Sequence, residues 1–186
     1  MSNQHTDIKQ VLEKFQTGYK ARDQNNLSSF LDELFVTDAD SMIVGTGQRE
    51  WIVGPDKIKG LVENDWKEWQ ELTIDIENAH IHEEGNSAWV TTKATCTLMY
   101  TMDQIMGFSM QMIKSTLDDP EQSITGKLAW LNQMTSRVLF EEKQGKVLKY
   151  ALRLSVILIK REEKWKIHQM HFSFPNVLFP DGRILD

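Results

Sequence analysis

The chain has 186 residues, 40% hydrophobic and 26% charged, which is the size and balance of one ordinary globular domain with at most a large insertion. Its 21 Lys and Arg stand against 27 Asp and Glu, a net charge of -6. Without a basic block it lacks the clustered cations that neutralise phosphates, so nucleic acid is a poor candidate partner. The single cysteine, Cys96, excludes an internal disulfide and a zinc site built from cysteines.

The polar opening Met-Ser-Asn-Gln-His-Thr-Asp lacks the basic and then apolar run of a secretory signal. No stretch approaches the ~20 apolar residues that span a bilayer. A cytoplasmic protein with no membrane partner is therefore expected. Ile8, Val11, Leu12, Phe15 and Tyr19 recur at helical spacing and predict an amphipathic first helix, with Thr6 or Asp7 near its cap. Asp23-Gln-Asn-Asn26 breaks it, and Leu27, Phe30, Leu31, Leu34 and Phe35 mark a second, shorter helix. Ser41–Gly45 and Glu50–Val53 read as a hairpin around Gly45-Thr-Gly47. Gly54-Pro55 then opens a third helix, with proline in the first turn where its missing N–H costs nothing. The apolar stripe of that helix is Ile58, Leu61, Val62, Trp66 and Trp69.

From Leu72 the period becomes two. Leu72, Ile74 and Ile76 share one phase, which then shifts to Ala79 and Ile81, the mark of a β-bulge within one strand. After the Gly85-Asn86 turn, Ser87–Met102 reads as a long strand with Ala88, Val90, Ala94, Cys96, Leu98 and Tyr100 on one face. Residues 103–143 are an insertion whose helix is opened by Asp119-Pro-Glu121, with Asp119 as its cap, Ile124, Leu128, Leu131, Thr135 and Val138 on one face and Trp130 and Met134 beside it. Val147–Lys160 and Trp165–Phe174 are the last two strands, joined by Glu162-Glu163. The apolar tail, about residues 175–186, is expected to pack on the body or on a partner. Three helices followed by an antiparallel strand run define a single α+β domain over residues 1–186. A curved antiparallel sheet wrapped around helices leaves a cone-shaped cavity, a common place for a small ligand.

The chain resembles the SnoaL-like branch of the nuclear transport factor 2-like superfamily. The resemblance is carried by Ala21-Arg-Asp-Gln-Asn-Asn-Leu27 followed by Phe30–Phe35 and Asp38-Ala-Asp40, by Val53-Gly-Pro-Asp-Lys-Ile58, and by Ser87-Ala-Trp-Val-Thr91. The most specific piece is Lys164-Trp-Lys-Ile-His-Gln-Met-His-Phe-Ser173, with its Trp-x-Ile-x-x-x-His-x-Ser ending. Together these cover roughly residues 5–102 and 147–175. The insertion departs from the usual short hairpin between two central strands. The resemblance implies an α+β cone and a homodimer through the outer sheet face. It implies no single reaction, because members include isomerases, dehydratases, cyclases and non-catalytic association domains.

Isomerase-like members place a carboxylate base at the end of the first strand. Met42-Ile-Val-Gly-Thr-Gly47 supplies none, and Tyr19 sits one residue from the expected oxyanion donor, which argues against that chemistry. Strict alternation puts Trp165, Ile167, Gln169, His171 and Ser173 on one face. His171 then reaches the cavity as a candidate base, with Asp40 as a possible acid, or it simply stabilises the inner sheet through hydrogen bonds. Tyr19, Trp51, Trp66, Tyr100, Arg153, Gln169, His171 and Ser173 are the candidate pocket residues. His80, His82 and Glu84 have the spacing of metal ligands on a strand but read as a solvated strand end, so no metal and no cofactor are expected. Six of the nine methionines fall between Met99 and Met134. They suit a flexible lid over an apolar ligand, a cavity plug, or padding at a dimer contact. Three functions follow: a pocket for a small apolar organic molecule, a small lyase, isomerase or hydrolase using His171, or a dimerisation module with a vestigial cavity.

Overall fold

The computed structural model describes residues 5–46, 50–68, 71–99, 102–144 and 147–175. The chain divides into two compact units. One is formed by the residues up to Cys96 together with those from Tyr150 onward, and the other is Thr97–Lys149.

In the first unit, α1 (Thr6–Ala21) buries Ile8, Val11, Leu12, Phe15 and Tyr19, the face its periodicity predicts. A 3-10 turn over Gln24–Asn26, held by the Asp23 carboxylate accepting the Asn25 N–H, leads into α2 (Leu27–Leu34). Strands β1 (Met42–Val44) and β2 (Trp51–Val53) form the expected antiparallel hairpin. Gly54 follows with φ 92, a conformation that favours glycine, and its N–H donates to the Ser41 carbonyl at 2.8 Å. Helix α3 (Pro55–Glu68) starts there and buries Ile58, Val62 and Trp66, while Trp69 lies outside the described residues. The remaining strands are β3 (Glu71–Ile74), β4 (His80–Glu84), β5 (Ser87–Met99), β6 (Val147–Arg161) and β7 (Lys164–Ser173).

The sheet has seven strands in the order β2-β1-β7-β6-β5-β3, with β4 also paired to β5. It is curved and mixed, not wholly antiparallel as expected, because β1 runs parallel to β7. The cause lies just after α2. Buried Phe35 bridges to Ile167 in parallel, and Val36 N–H donates to the Ile167 carbonyl at 2.9 Å. The chain is thus laid alongside β7 in the same direction and keeps it as far as Val44, opposite His171. The phase slip after Ile76 is also not a bulge. Strand β3 ends at Ile74, and residues 75–79 form a turn before β4. Asp75 stays tied to the sheet through its N–H on the Lys93 carbonyl and its own carbonyl under the Thr92 hydroxyl.

The core of this unit lies between helices and sheet. α1 packs on β3 and β7, and α3 packs on β1 and β2. Ile8, Leu12, Phe15, Ile58, Val62, Leu154, Leu158, Ile167 and Met170 are all fully or nearly fully buried. Each such side chain contributes about 1.5–3 kcal/mol on leaving water. The strand alternation in β6 is regular, with Leu152, Leu154, Val156 and Leu158 inside and Arg153, Ser155 and Ile157 outside. In β7 it is not. Ile157 pairs with Gln169 but Leu158 pairs with Ile167, so His168 is an extra residue. This bulge reverses the phase: Trp165 and Ile167 point inward before it, and Met170 and Phe172 after it.

The second unit holds α4 (Met102–Asp118) and α5 (Ile124–Gln144), which pack on each other. The predicted helix cap at Asp119 is displaced. Asp119 takes the Glu121 N–H in a local turn, and Ser123 Oγ accepts the Gly126 N–H at the start of α5. The predicted buried stripe is displaced as well. Of that face Ile124, Leu128 and Thr135 are exposed and Leu131 is part-buried, as are Lys127, Trp130 and Met134 beside it. Helix α4 buries Ser109 and Thr116 and exposes Met106, Phe108, Met110 and Met112. The tail from residue 176 lies outside the described residues.

Candidate functional site

Asp65 is the residue the sequence reading passed over. It falls three residues after Val62, four after Leu61 and one before Trp66. An acid is therefore set within the apolar stripe of α3, and α3 turns it toward α1. There the Tyr19 hydroxyl donates to Asp65 Oδ2 at 2.8 Å. The tyrosine ring is fixed by Phe15 at 4.7 Å and by Trp66, edge-on at 6.3 Å. Trp66 in turn lies 5.1 Å from Phe30. An acid at a stripe position was the available signal, since apolar periodicity alone predicts a hydrophobe there.

Tyr19 and Asp65 line a cavity of about 60 Å³ together with Ile43, Gly45, Thr46, Glu50, Leu61 and Phe172. Gly45 closes the β1–β2 connection by donating its N–H to the Glu50 carbonyl at 2.9 Å. A side chain at position 45 would overlap the Glu50 carboxylate, so the glycine is what admits that group to the cavity wall. The space accepts a few waters or one polar group of a ligand. It is well below the ~300 Å³ at which pockets begin to enclose drug-sized molecules.

Burial raises the Asp65 carboxyl to about 7. The Tyr19 hydrogen bond opposes that rise, and the charge of Glu50 adds to it. Burial likewise pushes the Tyr19 hydroxyl well above its usual value, reinforced by the charge of Asp65 and by their hydrogen bond. Buried Cys96 is pushed up to about 12 by burial and by Asp65, so it remains a thiol. The arrangement offers a tyrosine that stays protonated and a carboxyl that titrates near neutrality. Such a carboxyl can accept or release a proton under physiological conditions.

The sequence-derived candidates are dispersed. Tyr19 lines the cavity. Trp66 is buried behind it. Trp51 is 68% exposed on β2. Tyr100 lies outside the described residues. His171 does not face the interior, because the His168 bulge turns Gln169, His171 and Ser173 to the same side as Arg153, Ser155 and Ile157. Asp40 is exposed and approaches His168, not His171, at 3.4 Å. The proposed His171–Asp40 acid–base pair is therefore not assembled. The apolar residues themselves carried the warning: they occupy odd positions at 165 and 167 and even positions at 170 and 172. His80 and His82 are exposed, and His82 stacks on Trp89 at 4.4 Å.

Helices packed against a curved mixed sheet, with a small cavity between α1, α3 and β1, define a nuclear transport factor 2-like fold. The profile of the SnoaL-like domain matches residues 8–112 and 97–177, and the chain belongs to that family. Solved structures agree on the fold. A nuclear transport factor 2-like superfamily protein from Salmonella enterica serovar Typhimurium has a TM-score of 0.61 at 14% identity, over 96% of each chain. A candidate calcium/calmodulin-dependent protein kinase II association domain from Xanthomonas campestris gives 0.54 at 16%, over 91% of this chain and 88% of its own. A candidate dehydratase of the same superfamily from Streptomyces avermitilis gives 0.57 at 10%, over 91% and 94%. No curated protein matches the sequence significantly. Among the described residues, no helix is long and apolar enough to cross a membrane.

Proposed function

We propose that this SnoaL-like domain binds a small organic molecule by seating one of its polar groups on the Tyr19–Asp65 pair, with Asp65 as the group that exchanges a proton with it. The observation that carries this reading is the 2.8 Å bond between Tyr19 and a part-buried carboxyl in a cavity wall that Ile43, Leu61 and Phe172 share with Thr46 and Glu50. A buried acid is costly unless it is used or well paired, and here one hydrogen bond is its described partner on the cavity side. A dehydratase candidate among the structural relatives is compatible with such proton transfer, but so low an identity speaks for the fold alone. The test is a thermal-shift screen of carbonyl, phenol and carboxylic-acid fragments against the wild type, Asp65→Asn and Tyr19→Phe. Fragments that stabilise the wild type should lose their effect in both variants. Equal shifts in all three proteins would remove the site from consideration.

A second reading has its own observation. On the outer sheet face, Trp51, Val44, His171 and Ser155 form one cross-strand row, and Val53, Met42, Gln169 and Ile157 form the next. Trp51, Val53 and Ile157 are exposed there. Apolar side chains at that density favour a homodimer through this face, with the small cavity as a remnant. Sedimentation of Ile157→Lys decides it. A dimer that becomes monomeric supports this reading, and a wild type that is already monomeric ends it.

A further inference from the structure

The loop between α2 and β1 and the bulge of β7 bring together Asp38, Asp40 and His168. A ligand atom from each lies within 4.8 Å of the other two. None of the three lines the Tyr19–Asp65 cavity. We propose that these residues form a binding site for one first-row divalent cation, Zn²⁺ or Mn²⁺.

Three features support the assignment. The first is ligand type: one imidazole and two carboxylates are a nitrogen–oxygen set suited to such ions, and three protein ligands leave a coordination position open. The second is spacing. His168 Nε2 stands 3.4 Å from Asp40 Oδ1, longer than the ~2.7–2.9 Å of a charge-assisted hydrogen bond. Two ligands each ~2.1 Å from a tetrahedral ion stand about 3.4 Å apart. The pair, a loose ion pair without a metal, is therefore spaced as two ligands of one ion would be. The third is placement of the groups before any ion arrives. His168 is the extra residue of the bulge, with a side chain only 19% exposed. Asp38 Oδ2 accepts from Arg161 at 2.8 Å, and the Asp38 carbonyl accepts the N–H of fully buried Ser41 at 3.0 Å. Two carboxylates beside one guanidinium leave the cluster with one net negative charge when the imidazole is neutral, so a dication is attracted.

Chelator-treated full-length protein titrated calorimetrically with Zn²⁺, and with Mn²⁺ followed by electron paramagnetic resonance, tests the site. The expected result is saturable binding of one ion per chain by at least one of these metals. Asp40→Asn and His168→Gln should each weaken it at least tenfold, and the double variant His80→Ala, His82→Ala should leave it unchanged. Absence of saturable binding by either ion overturns the proposal. So does binding that survives Asp40→Asn, or that is lost with His80 and His82. Should His168→Gln fail to fold, Asp40→Asn decides alone, because the Asp40 side chain is 81% exposed and its loss leaves the core intact.

Discussion

His171 and Phe172 are neighbours on the last strand, and they live in different solvents. Phe172 is 7% exposed and closes one side of the Tyr19–Asp65 cavity, whereas His171 faces outward in a row with Trp51. One inserted residue, His168, decides which is which. Chemistry assigned to a strand residue by counting in twos holds only as far as the next irregularity in the ladder.

Truncation should separate the two faces most sharply. Phe172→Ala removes a buried ring beside a cavity and should cost about 3–5 kcal/mol in urea denaturation. A cost near zero would mean that the bulge does not set the phase.

The inner face is also where charge is expensive, which Asp65→Asn tests through pH. The folded carboxyl sits at about 7, above its ordinary 3.8, so the folded chain holds this proton more tightly than the unfolded one does. The contribution of Asp65 is complete below about pH 4 and is lost as pH rises through 7. Wild type should lose up to about 4 kcal/mol between pH 4 and pH 8 relative to Asp65→Asn. Parallel stability profiles for the two proteins would contradict the assignment.

The turn that starts β7 should yield a smaller gain. Glu162 and Glu163 both adopt left-handed backbone, with φ 49 and 61, where a two-residue hairpin prefers Asn-Gly. Changing the pair to Asn-Gly should raise stability by about 1–2 kcal/mol. The Lys160–Glu163 ion pair that is lost involves a 92% exposed carboxylate and contributes little. An unchanged midpoint would show that the turn is not strained. The smallest effect belongs to His171→Ala, which should stay within about 0.5 kcal/mol in a monomeric sample. A larger loss there would point to a role in the outer face.

Much of the fold was legible because burial imposes periodicity. The stripes of α1 and α3, the β1–β2 hairpin, the buried strand β6 and the helix that follows Asp119 all follow from which residues must leave water, whereas α4 was not expected. What stayed hidden depends on pairing between distant segments. No local pattern says that Phe35 will lie beside Ile167, and that contact makes the sheet mixed. The site was only partly legible for the same reason. Tyr19 was found because it belongs to a stripe. Asp65 was missed because the stripe was read as its apolar members alone. His171 was misplaced because strict alternation does not carry past the extra residue at His168. In α5 both faces carry hydrophobes, so periodicity could not choose between the stripe at Ile124 and Leu128 and the one at Trp130 and Met134.

The parallel seam between β1 and β7 has a kinetic consequence. Its partners are separated by most of the polypeptide, so on a translating ribosome the early hairpin must wait with an unpaired edge until the final strand emerges. The α4–α5 pair packs within one continuous stretch of chain and can be complete well before that. Closure of the sheet is then the late, high-contact-order event, and the interval before it is when the nascent chain is most open to chaperones and to mispairing.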